Sequence, residues 1–221
     1  MMRTIRVTGK GQIKVHPDMT RITMTLEGKY KEYADALRHS SEDTEALKDV
    51  LAPFGFERSD LKTLNFSIDT EYEHYEAKGV YKQRFAGYKF WHTLKVEFES
   101  DNDRLGKILY ALAGSPVKPE FRLSYTVKDP EAVKNALLGK AVSDAKEKAD
   151  VLTRAAGLVL KDIQTIDYSW GEMDLEFQPM SRNLLMAKSE SMEIGSAGYD
   201  MDMEPDDIDV SDTVTVVWEI E

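Results

Sequence analysis

RITMTLEGKYKEYADALRHSSEDTEALKDVLAPFG, residues 21–55, changes its hydrophobic period part-way along, and that change decides the fold. As far as Tyr30, the apolar side chains of Ile22, Met24, Leu26 and Tyr30 alternate with Arg21, Thr23, Thr25, Glu27 and Lys29. A period of two half-buries an antiparallel strand, with one face on a core and the other in water. From Tyr33 onward the spacing becomes three and four, through Ala36, Leu37, Ser40, Thr44, Leu47, Val50, Leu51 and Phe54. That is one face of an amphipathic helix, and Gly55 supplies the left-handed residue that closes its end.

Upstream, Ile5, Val7, Ile13 and Val15 outline a strand interrupted by Gly9-Lys10-Gly11, where a bulge or sharp bend is expected. A Gly-x-Gly also invites a phosphate-loop reading, but the third glycine and the following helix are missing. Downstream come two more alternating strands, Leu64-Phe66-Ile68-Tyr72 and Tyr88-Phe90-His92-Leu94-Val96-Phe98. The polar, tyrosine-rich residues 74–84 between them read as an exposed hairpin arm or loop.

Ser100 to Asp103 offer cap oxygens for a short helix through Leu105, Ile108, Leu109 and Leu112, ended by Gly114. A strand through Phe121, Leu123, Tyr125 and Val127 follows. Asp129-Pro130-Glu131 opens the longest helix: the aspartate caps free amides, the proline needs no amide partner, and the glutamate suits the positive helix end. Its expected packing face, Val133, Leu137, Ala141, Ala145, Ala149, Leu152 and Ala156, is rich in small residues that permit close approach, and Gly157 is its stop. Ile163, Ile166, Tyr168 and Trp170 suggest a strand, and Ile208, Val210, Val214, Val216, Trp218 and Ile220 suggest a last one that pairs back with an earlier strand. The order ββαββαβαββ gives an α+β fold class, largely antiparallel sheet with helices packed on one face. Residues 1–221 are expected to form a single domain carrying a methionine-rich acidic insertion at about 172–207.

With 29 basic against 40 acidic residues, the formal charge is -11, which disfavours a nucleic-acid partner. No apolar run approaches the roughly 20 residues of a membrane span. No cysteine is present, so thiolate metal sites and a cysteine nucleophile are excluded. The amino terminus enters a strand pattern without a charged and then apolar leader, so the chain as written is expected in the cytoplasm, or in the periplasm or envelope if a leader has been removed.

Chemical motifs are sparse, and no catalytic, cofactor-binding or metal-binding residue is assigned. His92, in register with Phe90 and Leu94, is expected to be a buried imidazole with one hydrogen-bond partner. His16, His39 and His74 lie in different elements without metal-site spacing. Residues 200–207 alternate carboxylates like a calcium loop, yet they lack its turn glycine and its final glutamate, and a solvated loop is expected. Residues 171–212 hold twelve acids against Arg182 and Lys188. Six of the ten methionines also fall there, more large apolar residues than a merely disordered linker carries. Phe177, Met180, Leu184, Leu185, Met186, Met192, Met201 and Met203 are therefore the candidate interaction residues.

Val7-Thr8-Gly9-Lys10-Gly11 followed by Val15-His16-Pro17-Asp18-Met19-Thr20-Arg21-Ile22 resembles the opening of the SIMPL-domain family, long described as a domain of unknown function. The residues from Asp60 to Ile68, Gly87-Tyr88 with Thr93-Leu94-Lys95-Val96, and the stretch from Asp129 to Gly157 match in the family's order. The resemblance implies an α+β fold and a tendency to oligomerise. Bacterial relatives are commonly periplasmic or envelope proteins with loose links to stress responses, and the animal namesake is a kinase-associated adaptor. No catalytic residues are established for the family, so none carries over. The expectation is a non-enzymatic, self-associating protein, a homo-oligomer with a further protein partner, needing no cofactor. Two alternatives stay open: an adaptor presenting the acidic arm to a basic partner, and a small-molecule or metal-binding enzyme built around Tyr72, Tyr75, Tyr81 and Tyr88.

Overall fold

The expected elements form in the expected order: β1 (Arg3–Val15), β2 (Met19–Tyr30), α1 (Tyr33–Leu51), β3 (Lys62–Ala77), β4 (Val80–Glu99), α2 (Asn102–Ala113), β5 (Glu120–Thr126), α3 (Pro130–Ala155), β6 (Leu160–Asp167) and β7 (Ile208–Ile220). A computed structural model describes residues 3–77, 79–168, 175–176 and 203–221. Its contacts divide the chain into two units, one built on residues 19–125 and the other on residues 1–18, 126–177 and 205–221. The chain is α+β, with two sheets of antiparallel pairing, β3-β4-β2-β5 and β1-β7-β6.

In the unit around residues 19–125, the period-two alternation of β2 puts Ile22, Met24 and Leu26 on one face, and β4 matches them with Phe90, Leu94, Val96 and Phe98. Helix α1 covers this face with Ala36, Leu47 and Leu51, and α2 with Leu105, Ile108, Leu109 and Leu112, so one dry core results. Asp101 caps α2 by accepting the Arg104 amide at 3.0 Å. The opposite face is polar and paired: Glu97 takes Arg21 at 2.6 Å and Lys95 at 2.9 Å, and Lys89 meets Glu27 at 2.9 Å.

Strand β2 stops pairing at Tyr30↔Tyr88, whereas β3 and β4 continue together to Ala77↔Val80. Beyond Tyr88 the hairpin is therefore a two-stranded arm, the expected form for residues 74–84. It leaves the sheet at a register shift between Glu71 and Tyr72. Gly87 stands opposite that shift with φ 143°, where a Cβ would strike the Tyr30 carbonyl, so this position requires glycine.

In the other unit, β7 is central and pairs with β1 on one side and β6 on the other. Helix α3 packs across β1 and β7, with Asp129 accepting the Ala132 amide at 2.9 Å and Pro130 in the first turn. The glycines of β1 make no bulge in it. Its register with β7 runs unbroken through Gly9↔Val214 and Gly11↔Asp212, and a Cβ at either glycine would collide with the α3 backbone at Ala141 or Leu137. The expected bulge is corrected to a close approach of helix and strand. The buried face of α3 also differs from expectation: Leu137, Ala141, Ala145 and Ala149 are joined by Thr153, whose hydroxyl donates to the Ala149 carbonyl at 2.8 Å, while Leu152 and Ala156 stay in water. A strict spacing of four keeps one line over the strands, and Thr153 continues that line.

Candidate functional site

Ser40 and Thr44 interrupt the apolar face of α1 at i and i+4, so both hydroxyls point at β4. There they meet His92. Its Nδ1 lies 3.2 Å from Ser40 Oγ and 3.1 Å from Thr44 Oγ1, and its Nε2 lies 2.9 Å from Thr63 Oγ1 on β3. The Thr44 hydroxyl donates to the Ser40 carbonyl at 2.7 Å, so toward the ring it can only accept. That network assigns the ring proton to Nδ1 and leaves Nε2 to accept from Thr63. Burial holds the imidazole below its ordinary range, and the nearby Lys48 charge pushes the same way. His92 is thus a neutral, half-buried pin with three hydroxyl partners, where the sequence suggested full burial and one.

Around this pin is a cleft of about 350 Å³ whose walls include Leu37, Ser41, Thr63 and Phe66. Phe66 stands edge-on to the His92 ring at 5.1 Å. Leu37 and Tyr33, both counted on the apolar face of α1, are 49% and 52% exposed and contribute surface rather than core. A Thr63–His92 pair resembles the nucleophile and base of acyl transfer, but Nδ1 is oriented by hydroxyls and no carboxylate is among its hydrogen-bond partners.

The tyrosines of the arm form a second cluster. Ring contacts run Tyr33–Tyr88 at 5.5 Å, Tyr88–Phe85 at 5.2 Å and Phe85–Tyr72 at 6.1 Å, all edge-to-face. Tyr72 is 51% exposed and Tyr81 79%. Arg84 packs over Tyr75 and pairs with Glu73, which also takes Lys29. The Arg84 hydrogen bond draws the Glu73 carboxyl below its usual range. Such a ladder offers broad apolar contact with polar tips.

Of the sequence-derived interaction residues, Phe177, Met180, Leu184, Leu185, Met186, Met192 and Met201 lie outside the described residues, as does Trp170. Met203 is half-buried, and its carbonyl accepts the Tyr125 hydroxyl at 3.4 Å. The remaining histidines stay apart: His16 meets Asp207, His39 meets Glu42, and His74 meets Gln83. Among the described residues, no group of three or more histidines or carboxylates is placed to hold a metal ion. The sequence signal for the His92 network was the pair of hydroxyls on an otherwise apolar helix face.

The family model of SIMPL, described as a protein of unknown function (DUF541), matches residues 5–218. The chain belongs to the SIMPL family. Two curated relatives of this SIMPL chain are each called a 26 kDa periplasmic immunogenic protein, one from Brucella melitensis and one from Brucella abortus. Each is 29% identical over 157 residues, an alignment covering 71% of the SIMPL chain. It spans 62% of each relative's own length. Among the described residues, no helix of the SIMPL chain is long and apolar enough to cross a membrane.

Proposed function

We propose that this SIMPL chain is a non-enzymatic, self-associating protein of the bacterial periplasm or envelope that acts through protein–protein contacts. The observation that carries this reading is the two-stranded arm beyond Tyr88 with its exposed aromatic ladder. A ribbon of two strands is marginal by itself, and large exposed rings on it are costly unless a partner covers them. The periplasmic names of the two relatives favour the periplasm over the cytoplasm. The methionine-rich acidic segment of residues 172–207 fits the same reading as further contact surface.

Sedimentation velocity at micromolar concentration tests it. The expected result is a species heavier than the 25.1 kDa chain, reduced in mass when Tyr72, Tyr81 and Phe85 are all changed to serine. A strictly monomeric profile for the unaltered protein overturns the proposal.

A further inference from the structure

The arm has two free edges, and they differ in charge. Strand β3 is the last strand of its sheet, and β4 loses β2 beyond Tyr88. From Tyr72↔Phe85 to Ala77↔Val80, each strand therefore has a neighbour on one side only among the described residues. The amides and carbonyls of such an edge are a template for a further strand. The β3 side carries Glu71, Glu73 and Glu76, and the β4 side carries Lys82 and Arg84. Within the arm Glu73 takes Arg84, and Lys29 reaches both Glu71 and Glu73, yet the Glu73 and Arg84 side chains stay 46% and 68% exposed. Glu76 and Lys82 have no ion-pair partner among the described residues.

Those signs select the strand that can dock. A second copy's β3 on β3 sets an acidic strand beside an acidic one, and β4 on β4 sets Lys82 and Arg84 beside their own kind, both destabilising across a strand pair. A copy's β4 on β3 instead repeats the pairs the arm already makes: Glu73 beside Arg84, His74 beside Gln83 and Tyr72 beside Phe85. Within the arm these are an ion pair of 2.8 Å, a hydrogen bond of 2.7 Å and an edge-to-face contact of 6.1 Å. We infer that the arms of successive copies join head to tail, the β4 edge of one pairing antiparallel with the β3 edge of the next. The inference rests on the self-association reading and gives it a geometry. A joint between two different surfaces leaves one of each free at the ends, so it closes into a ring or runs on as a filament of three or more copies and does not stop at a twofold dimer. The seam is confined to the arm beyond the register shift at Glu71 and Tyr72, where β2 no longer occupies the β4 edge.

Two charge-reversed full-length proteins test the joint by sedimentation velocity: one carries Glu71→Lys, Glu73→Lys and Glu76→Lys, the other Lys82→Glu and Arg84→Glu. The unaltered protein is expected as a species of at least three copies. Each reversed protein alone is expected to fall toward the 25.1 kDa of the single chain, because both of its edges then have one sign. An equimolar mixture of the two is expected to recover the larger species. Should a reversed arm fold poorly, cross-linking decides. The chain has no cysteine, so His74→Cys and Gln83→Cys each introduce one thiol. On mild oxidation neither protein alone is expected to give a disulfide-linked pair, whereas the mixture does. A monomeric unaltered protein overturns the self-association reading and this joint with it. An unaltered assembly that stops at two copies, one that persists in both reversed proteins, or Gln83→Cys linking to itself overturns the head-to-tail joint alone.

Discussion

A Cβ placed on Gly9 would stand 2.7 Å from the methyl group of Ala145, with the Ala141 carbonyl nearer still, so β1 and α3 meet backbone to backbone. Neither a rotamer nor a flexible side chain can relieve that contact. Gly9→Ala and Gly11→Ala are each expected to destabilise at the upper end of the about 1–3 kcal/mol typical of overpacking. Urea denaturation followed by circular dichroism should show a lower midpoint for both, and an unshifted midpoint for Gly9→Ala would show that the helix is free to move away.

From the other side of the same seam, Ala145→Leu adds three carbons where the helix already touches the strand. It is expected to cost about 1–3 kcal/mol. Leu152→Ala, on the exposed side of the same helix, should change little, which separates packing from helix propensity. Equal thermal midpoints for Ala145→Leu and the parent protein would contradict the close packing.

The His92 pin makes stability depend on pH. Burial lowers its folded pKa below the ordinary 6.5, so near and below that value the unfolded chain binds the proton more readily. The contribution is complete above about pH 7 and is lost as pH falls through 6.5 toward the depressed folded value. His92→Asn should flatten the fall in stability between pH 7 and 5. An identical slope in variant and parent would assign the dependence to other groups.

Glu97 extends the same acid-side loss of stability to lower pH. Burial alone would raise its pKa, but hydrogen bonds from Lys95 and Arg21 outweigh burial and the net shift is downward from 4.5. Its contribution is present above about pH 4.5 and disappears as pH falls through the lowered value. Arg21→Ala is expected to cost about 1 kcal/mol at pH 7, in keeping with a half-exposed ion pair. The gap from the parent should narrow by pH 3, and a gap that stayed constant would point to lost packing of the arginine stem.

The element order was legible because the periods of two and of three to four are long and clean, and because Asp101, Asp129, Gly55 and Gly157 punctuate the helices. Strand neighbours were not, since the pairing of β1 with β7 joins residues at opposite ends of the sequence and leaves no local trace. Gly9 and Gly11 were visible as special positions, but a missing Cβ serves a bend and a close approach equally, and only α3 above them decides. Leu37 illustrates the limit for the cleft beside His92. Its spacing puts it on the apolar face, and its exposure depends on how far α1 reaches toward β3, a tertiary fact. The hydroxyls of Ser40 and Thr44 were legible as polar intrusions on that face, whereas Thr63, their counterpart across His92, lies in another element and gave no signal.

The position of β7 between β1 and β6 also bears on biosynthesis. Val7 pairs with Val216, so the ribosome makes about two hundred further residues before β1 acquires its neighbour. At about 5–20 residues per second that delay is roughly 10–40 s. The four strands of the other sheet all lie within residues 19–126 and are complete much earlier. Nascent β1 therefore has no strand partner during the interval in which residues 19–125 are completed.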